Sequence, residues 1–185
     1  MAVALIYETH SISYDNETGH ATGWLPGELS PRGRDLAREL GRRRRDDPLA
    51  AVFVSDLRRA IETAELAFAG RDLPIIQDAR LRECDYGALN GMPVEQLAAE
   101  RRRRIDAPFP GGQSYRQVVT QTRAFLRDLA AGYDGATVLI IAHSANRWAL
   151  DHLLQGVPLE DLVDAPFHWQ EGWRYTLPDG WDGVA

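Results

Sequence analysis

Two histidines stand directly after short apolar runs: His10 in YETHSIS and His143 in IIAHSANR. An imidazole changes charge near neutrality and has a lone pair, so it can act as nucleophile or as general acid and base. A third apolar run, AVFV, is followed by Ser55 and the pair Arg58–Arg59. A guanidinium presents a rigid fork of N–H donors that matches an oxyanion. A single polar residue after a strand is more often a satisfied loop residue than a catalyst. Three such features at one rim point instead to a site that binds an anion and works through imidazole.

The elements that must position these residues are legible as short runs. AVALIY (2–7), AVFV (51–54) and TVLIIA (137–142) are rich in Val and Ile and do not alternate with polar residues. That pattern suits parallel strands covered on both faces. LPIIQ (73–77) is a weaker fourth strand, and WQEGWRYTL (169–177) alternates in part, as an edge strand does. Between them lie helical patterns. SPRGRDLARELGRR starts with Ser30 as N-cap and Pro31 at the first helical position. Further helices are expected over 57–68, 94–105, 115–133 and 146–155, with 106–114 as a loop. In 57–68 the stripe is Leu57, Ile61, Ala64 and Phe68. Strands interleaved with helices give a layered α/β fold, here read as a single domain over 1–185. In an open parallel sheet, ligands bind beyond the carboxyl ends of the strands, where His10, Ser55, Arg58–Arg59 and His143 fall.

Composition removes several alternatives. The chain has 185 residues and a formal net charge of -6, so no global basic field invites nucleic acid or an anionic membrane. Every cationic side chain apart from histidine is arginine, which excludes a P-loop lysine and a Schiff-base lysine. The runs RRRR at 42–45 and 101–104 end predicted helices, where cations complement the dipole, and are read as solvated faces. One cysteine, Cys84, allows neither an internal disulfide nor a cysteine-rich metal site. The start lacks a basic signal region, and no apolar run reaches the ~18 residues a membrane helix needs, so the expected location is the cytoplasm.

With these residues in place, the chain resembles the histidine phosphatase superfamily, the phosphoglycerate mutase-like fold. SDLRRAIETA (55–64) is similar to the family's Ser-x-Leu-x-Arg-Ala-x-x-Thr-Ala segment, and LRECDYGALNG (81–91) to its Leu-x-Glu-x-x-x-Gly-x-x-x-Gly. PGGQSYRQV (110–118) resembles a Pro-Gly-Gly-Glu-Ser stretch, with Gln113 in place of Glu. DNETGHATGWLPGELSPRG (15–33) resembles the family loop that begins at its Asn, with Pro26 and Glu28 departing from the pattern. IIAHSANR supplies the second histidine. The resemblance implies a three-layer α/β/α sandwich with a mostly parallel central sheet. It implies His10 as covalent nucleophile, His143 as its partner, Glu83 as general acid, and Arg59 and Asn16 as phosphate ligands. Phosphoryl transfer of this kind rests on positioning and charge neutralisation, so neither cofactor nor metal is expected. The substrate is a small phosphorylated metabolite. Hydrolysis is favoured over mutase activity, because the family's mutases carry extra substrate-enclosing segments and this chain is short.

One motif departs. The family's Arg-His-Gly is here Thr9-His10-Ser11, and His143 is followed by Ser144. The missing arginine removes a charged two-pronged donor, worth roughly a hundredfold or more in rate. Thr9, Ser11 and Ser144 are candidate neutral donors in its place; Arg58, Arg82 and Arg147 are candidate replacements for its charge. Glu8 and Asp15 add negative charge nearby. Two other readings stay open at this point: acid–base chemistry by His10, His143 and Glu83 on a less charged molecule, and a non-catalytic binding protein. Trp24 and the 106–114 loop are the first candidates to contact the rest of a substrate, with Trp169 and Trp173 as further pocket candidates. His20 lies in a loop that can cover the pocket, while His152 is read as packing and His168 has no assigned role.

Overall fold

A computed structural model describes residues 1–183. The strands are β1 (Val3–Thr9), β2 (Leu49–Val54), β3 (Ile75–Gln77), β4 (Thr137–Ala142) and β5 (Trp173–Leu177). The helices are α1 (Tyr14–Thr18), α2 (Pro31–Arg43), α3 (Arg58–Ala67), α4 (Val94–Arg101), α5 (Tyr115–Gly132), α6 (Ser144–Gln155) and α7 (Leu159–Asp164). The sheet order is β3-β2-β4-β1-β5, parallel except for β5, which runs antiparallel to β1 at the edge. Apolar residues fill both faces. Ile6, Val52, Val54, Leu139 and Ile141 pack under α2 and α3, while Leu5, Tyr7, Phe53, Val138 and Ile140 pack under α5 and α6. Continuous apolar runs are what a sheet covered on both sides requires.

The helix starts follow from side-chain chemistry. Ser30 caps α2 by accepting the Gly33 N–H at 3.1 Å, with Pro31 at the first position. Ser114 caps α5 reciprocally with Gln117. Helix α3 turns its inner face slightly from the expected stripe: Arg59, Ala60, Thr63 and Ala64 are buried, whereas Leu57 and Ile61 are only partly so. Helix α6 begins two residues earlier than its pattern suggested, immediately after His143.

Register decides what reaches the rim. Thr9 pairs with Ala142, and Val54 with Ile141. The ladder then extends one residue further: the His10 N–H donates to the Ala142 carbonyl at 2.9 Å and the Ser55 N–H to the Ile141 carbonyl at 3.1 Å. His10, Ser55 and His143 therefore leave the sheet side by side at its carboxyl edge.

The first arginine run is a solvated face only at Arg42 and Arg45, which are exposed. Arg44 is buried and donates to Glu8 Oε1 through Nε and Nη2, at 3.1 and 2.6 Å. Arg43 reaches the same oxygen at 3.2 Å. Glu8, itself buried, thus has its negative charge matched by two guanidiniums.

Candidate active site

A cleft of about 610 Å³ lies over that rim. The residues assigned catalytic or phosphate-binding roles line it: His10, Glu83, His143, Arg59, Asn16, Thr9, Ser11 and Ser144. Arg58, Arg82 and Arg147 do not; each is held by a carboxylate, Glu28, Asp56 and Asp151 respectively. Other arginines border the cleft instead, namely Arg32 and Arg43 from α2 and Arg101 from α4. Periodicity alone did not reveal which arginine of each run turns inward.

The two imidazoles have their tautomers fixed by their partners. His10 Nδ1 lies 2.7 Å from the Ser11 carbonyl, which can only accept, so Nδ1 carries the hydrogen. Its Nε2 receives the Arg59 Nε–H at 3.3 Å and therefore presents a lone pair. Arg59 Nη2 donates to His143 Nδ1 at 3.2 Å, so His143 carries its hydrogen on Nε2, aimed at Ser55 Oγ at 2.9 Å. The ring centroids are 5.0 Å apart. Burial and the neighbouring Arg59 charge lower both histidines, His10 to about 3 and His143 well below its usual value. Both imidazoles are neutral at neutral pH.

Arg59 is the hub. It is only 2 % exposed, and its remaining donors go to the carbonyls of Gly23, at 2.9 Å, and Leu25, at 3.4 Å. Gly23 has φ +56°, and a Cβ there would lie 1.8 Å from Asn90 Oδ1, so only glycine turns this carbonyl inward. Among the described residues no carboxylate comes within 4.0 Å of Arg59. A buried cation whose contacts are neutral acceptors has the chemistry to receive an anion, because desolvation is costly unless a counter-charge arrives.

Glu83 faces the same space. Its Oε1 accepts the N–H groups of Cys84, at 2.8 Å, and Ala145, at 3.3 Å. Burial raises its carboxyl, partly offset by these bonds and by Arg59. A carboxyl whose proton is held more tightly by burial has the chemistry of a general acid in this cleft.

Two residues that hold this geometry, Thr63 and Asn146, had no role in the sequence reading. Thr63 Oγ1 donates to the Arg59 carbonyl at 2.7 Å and accepts the Ser11 N–H at 2.9 Å, tying the arginine's helix to the histidine's loop. Its signal was the threonine of SDLRRAIETA. Asn146, fully buried, accepts the His143 N–H at 3.2 Å and donates to the Arg82 carbonyl at 3.1 Å, linking the segments of His143 and Glu83. Ser11 donates its hydroxyl to the Gly33 carbonyl at 2.6 Å, so it anchors the loop to α2. Asn16 Oδ1 accepts from Ser13, which leaves its amide N–H groups to donate.

The loop candidates separate. Trp24 is absent from the cleft lining; its Nε1–H donates to the Glu83 carbonyl at 2.6 Å, and Arg82 stacks on its ring at 4.7 Å. The 106–114 loop lies by a separate surface depression with Asp106 and Pro108. Trp169 borders the cleft, whereas Trp173 packs edge-on against Tyr7. His20 lines the cleft mouth, and His152 bonds to the Val157 carbonyl at 2.8 Å. No helix among the described residues is long and apolar enough to cross a membrane.

Comparison with known proteins agrees with this geometry. The chain is 30% identical to phosphoserine phosphatase 1 of Hydrogenobacter thermophilus over 85% of its own length and 78% of that protein's. It is 30% identical to a 2,3-bisphosphoglycerate-dependent phosphoglycerate mutase of Gloeobacter violaceus, over 90% of this chain and 85% of that one. Among solved structures, Bacillus stearothermophilus YhfR superposes with a TM-score of 0.84 at 26% identity, covering 99% of this chain and 98% of that chain. A mycobacterial glucosyl-3-phosphoglycerate phosphatase superposes with a TM-score of 0.75 at 26% identity, over 88% and 84%. The family model of the histidine phosphatase superfamily, branch 1, matches residues 8–171, nearly the whole rim and cleft. With strands, histidines and relatives in agreement, this chain belongs to the histidine phosphatase superfamily, an enzyme family.

Proposed function

We propose that the protein is a metal-independent phosphomonoesterase that works through a phosphohistidine on His10, acting in the cytoplasm on a small phosphorylated metabolite. The observation that carries this is Arg59: a buried guanidinium without a carboxylate partner, touching both imidazoles. A phosphoryl group seated there meets the lone pair of His10 Nε2.

In the first step Nε2 attacks phosphorus and the ester P–O bond breaks, while Glu83 passes its proton to the leaving oxygen. Arg59 spans the equatorial oxygens, with Asn16 and Ser144 as neutral donors. His143, kept neutral first by burial and then by the Arg59 charge, accepts an Arg59 N–H and so positions the guanidinium. In the second step water attacks phosphorus, its proton goes to the Glu83 carboxylate, and phosphate leaves neutral His10. Thr9 and Ser11 shape the wall where the family's arginine stands.

The test is phosphate release from an aryl phosphate in the presence of EDTA, with native protein and His10→Ala. Turnover should persist in EDTA, fall by more than about 1,000-fold in His10→Ala, and leave an acid-labile, base-stable phosphoryl group on His10. The absence of both turnover and vanadate binding would overturn the reading.

A further inference from the structure

Positive charge is scarce where His10 meets a phosphoryl group. Thr9, the residue before the nucleophile, lines the cleft and brings none. Arg59 touches both imidazoles, at 3.3 and 3.2 Å, and its charge is the cationic one that lowers them. The imidazoles themselves are neutral. The arginines of the flanking segments are matched: Arg58 by Glu28, Arg82 by Asp56 and Arg147 by Asp151, at 2.8, 2.6 and 2.8 Å. From α2, Arg43 lies against Glu8, while Arg32 and Glu39 are both exposed at the cleft. From α4, Arg101 stacks on the Trp148 ring, and its charge acts on Tyr115, Tyr86 and Glu83.

Negative charge also stands near Arg59. The Asp15 carboxylate of α1 acts on the guanidinium, and among the described residues no arginine pairs with it. Its Oδ2 accepts the Thr22 hydroxyl at 2.7 Å. Thr22 and Arg59 are neighbours, since a Cβ at Gly27 would meet the Thr22 methyl at 3.1 Å and Arg59 Cδ at 3.2 Å. A doubly charged phosphoryl group on Arg59 would therefore leave a negative charge unmatched in the buried floor, even before Asp15 is counted. An anion taken from water without a partner is costly, and such a group takes up a proton instead. A singly charged phosphoryl group matches Arg59 one for one.

We propose that this site takes its phosphoryl group as a monoanion, either a monoester that keeps one proton or a phosphodiester. This rests on the phosphohistidine reading above and deepens it. For a diester, the bond from His10 Nε2 to phosphorus forms as one ester P–O bond breaks, and the Glu83 proton goes to the departing alcohol. Water then breaks the N–P bond, returns a proton to Glu83 and releases a monoester. For a monoester the same steps run with the extra proton kept on a non-bridging oxygen.

The test is calorimetric binding of benzylphosphonate, whose C–P bond His10 cannot break in this way, to native protein at several pH values. Above the second pKa of the ligand, Kd should rise about tenfold per pH unit, because the bound monoanion becomes scarce. Both imidazoles stay neutral over that rise, so Glu83 is the other titrating group to separate. The same rise should persist in Glu83→Gln. Ethyl hydrogen benzylphosphonate, singly charged throughout, serves as the control if that variant does not fold, and its Kd for native protein should stay level. A Kd for benzylphosphonate that is flat or falls as pH rises would overturn the proposal, and so would a rise that vanishes in Glu83→Gln. Either result leaves the phosphomonoesterase reading intact if 4-nitrophenyl phosphate is still cleaved and His10→Ala abolishes that turnover. No binding and no turnover would overturn that reading instead. Methyl 4-nitrophenyl phosphate then distinguishes the two sources of the single charge. Its turnover, lost in His10→Ala, assigns diesters to the site, and turnover of the monoester alone assigns the protonated monoester.

Discussion

Glu8 and Glu83 are both buried glutamates at the cleft, at 2 % and 8 % exposure, yet their surroundings differ completely. Glu8 accepts three guanidinium N–H bonds from Arg43 and Arg44. Glu83 has only two backbone N–H donors on Oε1, and burial raises it. Burial alone therefore does not assign a carboxyl its task. The partners do: one glutamate fastens β1 to the end of α2, and the other, without a guanidinium partner, is the one we propose as proton donor.

The sharpest way to break this contrast is Glu83→Gln. The amide keeps the shape but has no proton to give, so kcat should fall by about 100- to 10,000-fold. Folding favours the protonated form of Glu83, so its stabilising contribution is present at low pH and lost as pH rises above the ordinary value of 4.5 through the raised one. Native protein should therefore lose stability relative to Glu83→Gln over that rise, measured by denaturant unfolding at several pH values. A flat difference would overturn the reading of Glu83 as a carboxyl that burial raises.

Glu8→Gln should do the reverse. Removing one partner of a buried ion pair costs about 3 kcal/mol of folding stability, read from chemical denaturation. The kcat per folded molecule should fall far less than in Glu83→Gln. A large kcat loss without destabilisation would give Glu8 a share in the chemistry.

Trp24→Phe is the smallest and most selective change. It removes the indole N–H that meets the Glu83 carbonyl and keeps a ring face for Arg82. A cost of about 1 kcal/mol and a modest drop in kcat, with the same cost in a Glu8→Gln background, would show that the two glutamates are supported independently.

Much of this arrangement was readable in the chain because it depends on short range. The apolar runs, the Ser30–Pro31 start and the motif spacings placed His10, Arg59, Glu83 and His143 at one rim. What escaped depends on long range. Arg44 meets Glu8 across 36 positions, and nothing near RRRR announces that partner. Arg101, the last residue of α4, lines the cleft, while Arg102 and Arg104 in the 3-10 turn that follows pair with Asp164 and Glu100. Ser11 looked like a substitute donor, but its hydroxyl is directed to Gly33 by packing between a loop and a helix that no local pattern encodes.

That packing reaches its limit at Gly33. A methyl carbon there would stand 1.8 Å from the Ile12 carbonyl oxygen, so α2 approaches the loop after β1 as closely as two backbones allow. Position 33 is remote from any reacting atom, yet the loop that it presses against holds His10 through the Ser11 carbonyl. A scan of all single substitutions would score it alongside the reactive residues. Selection for rate and selection for folding converge there on one hydrogen atom, and the margin for drift is set by helix placement.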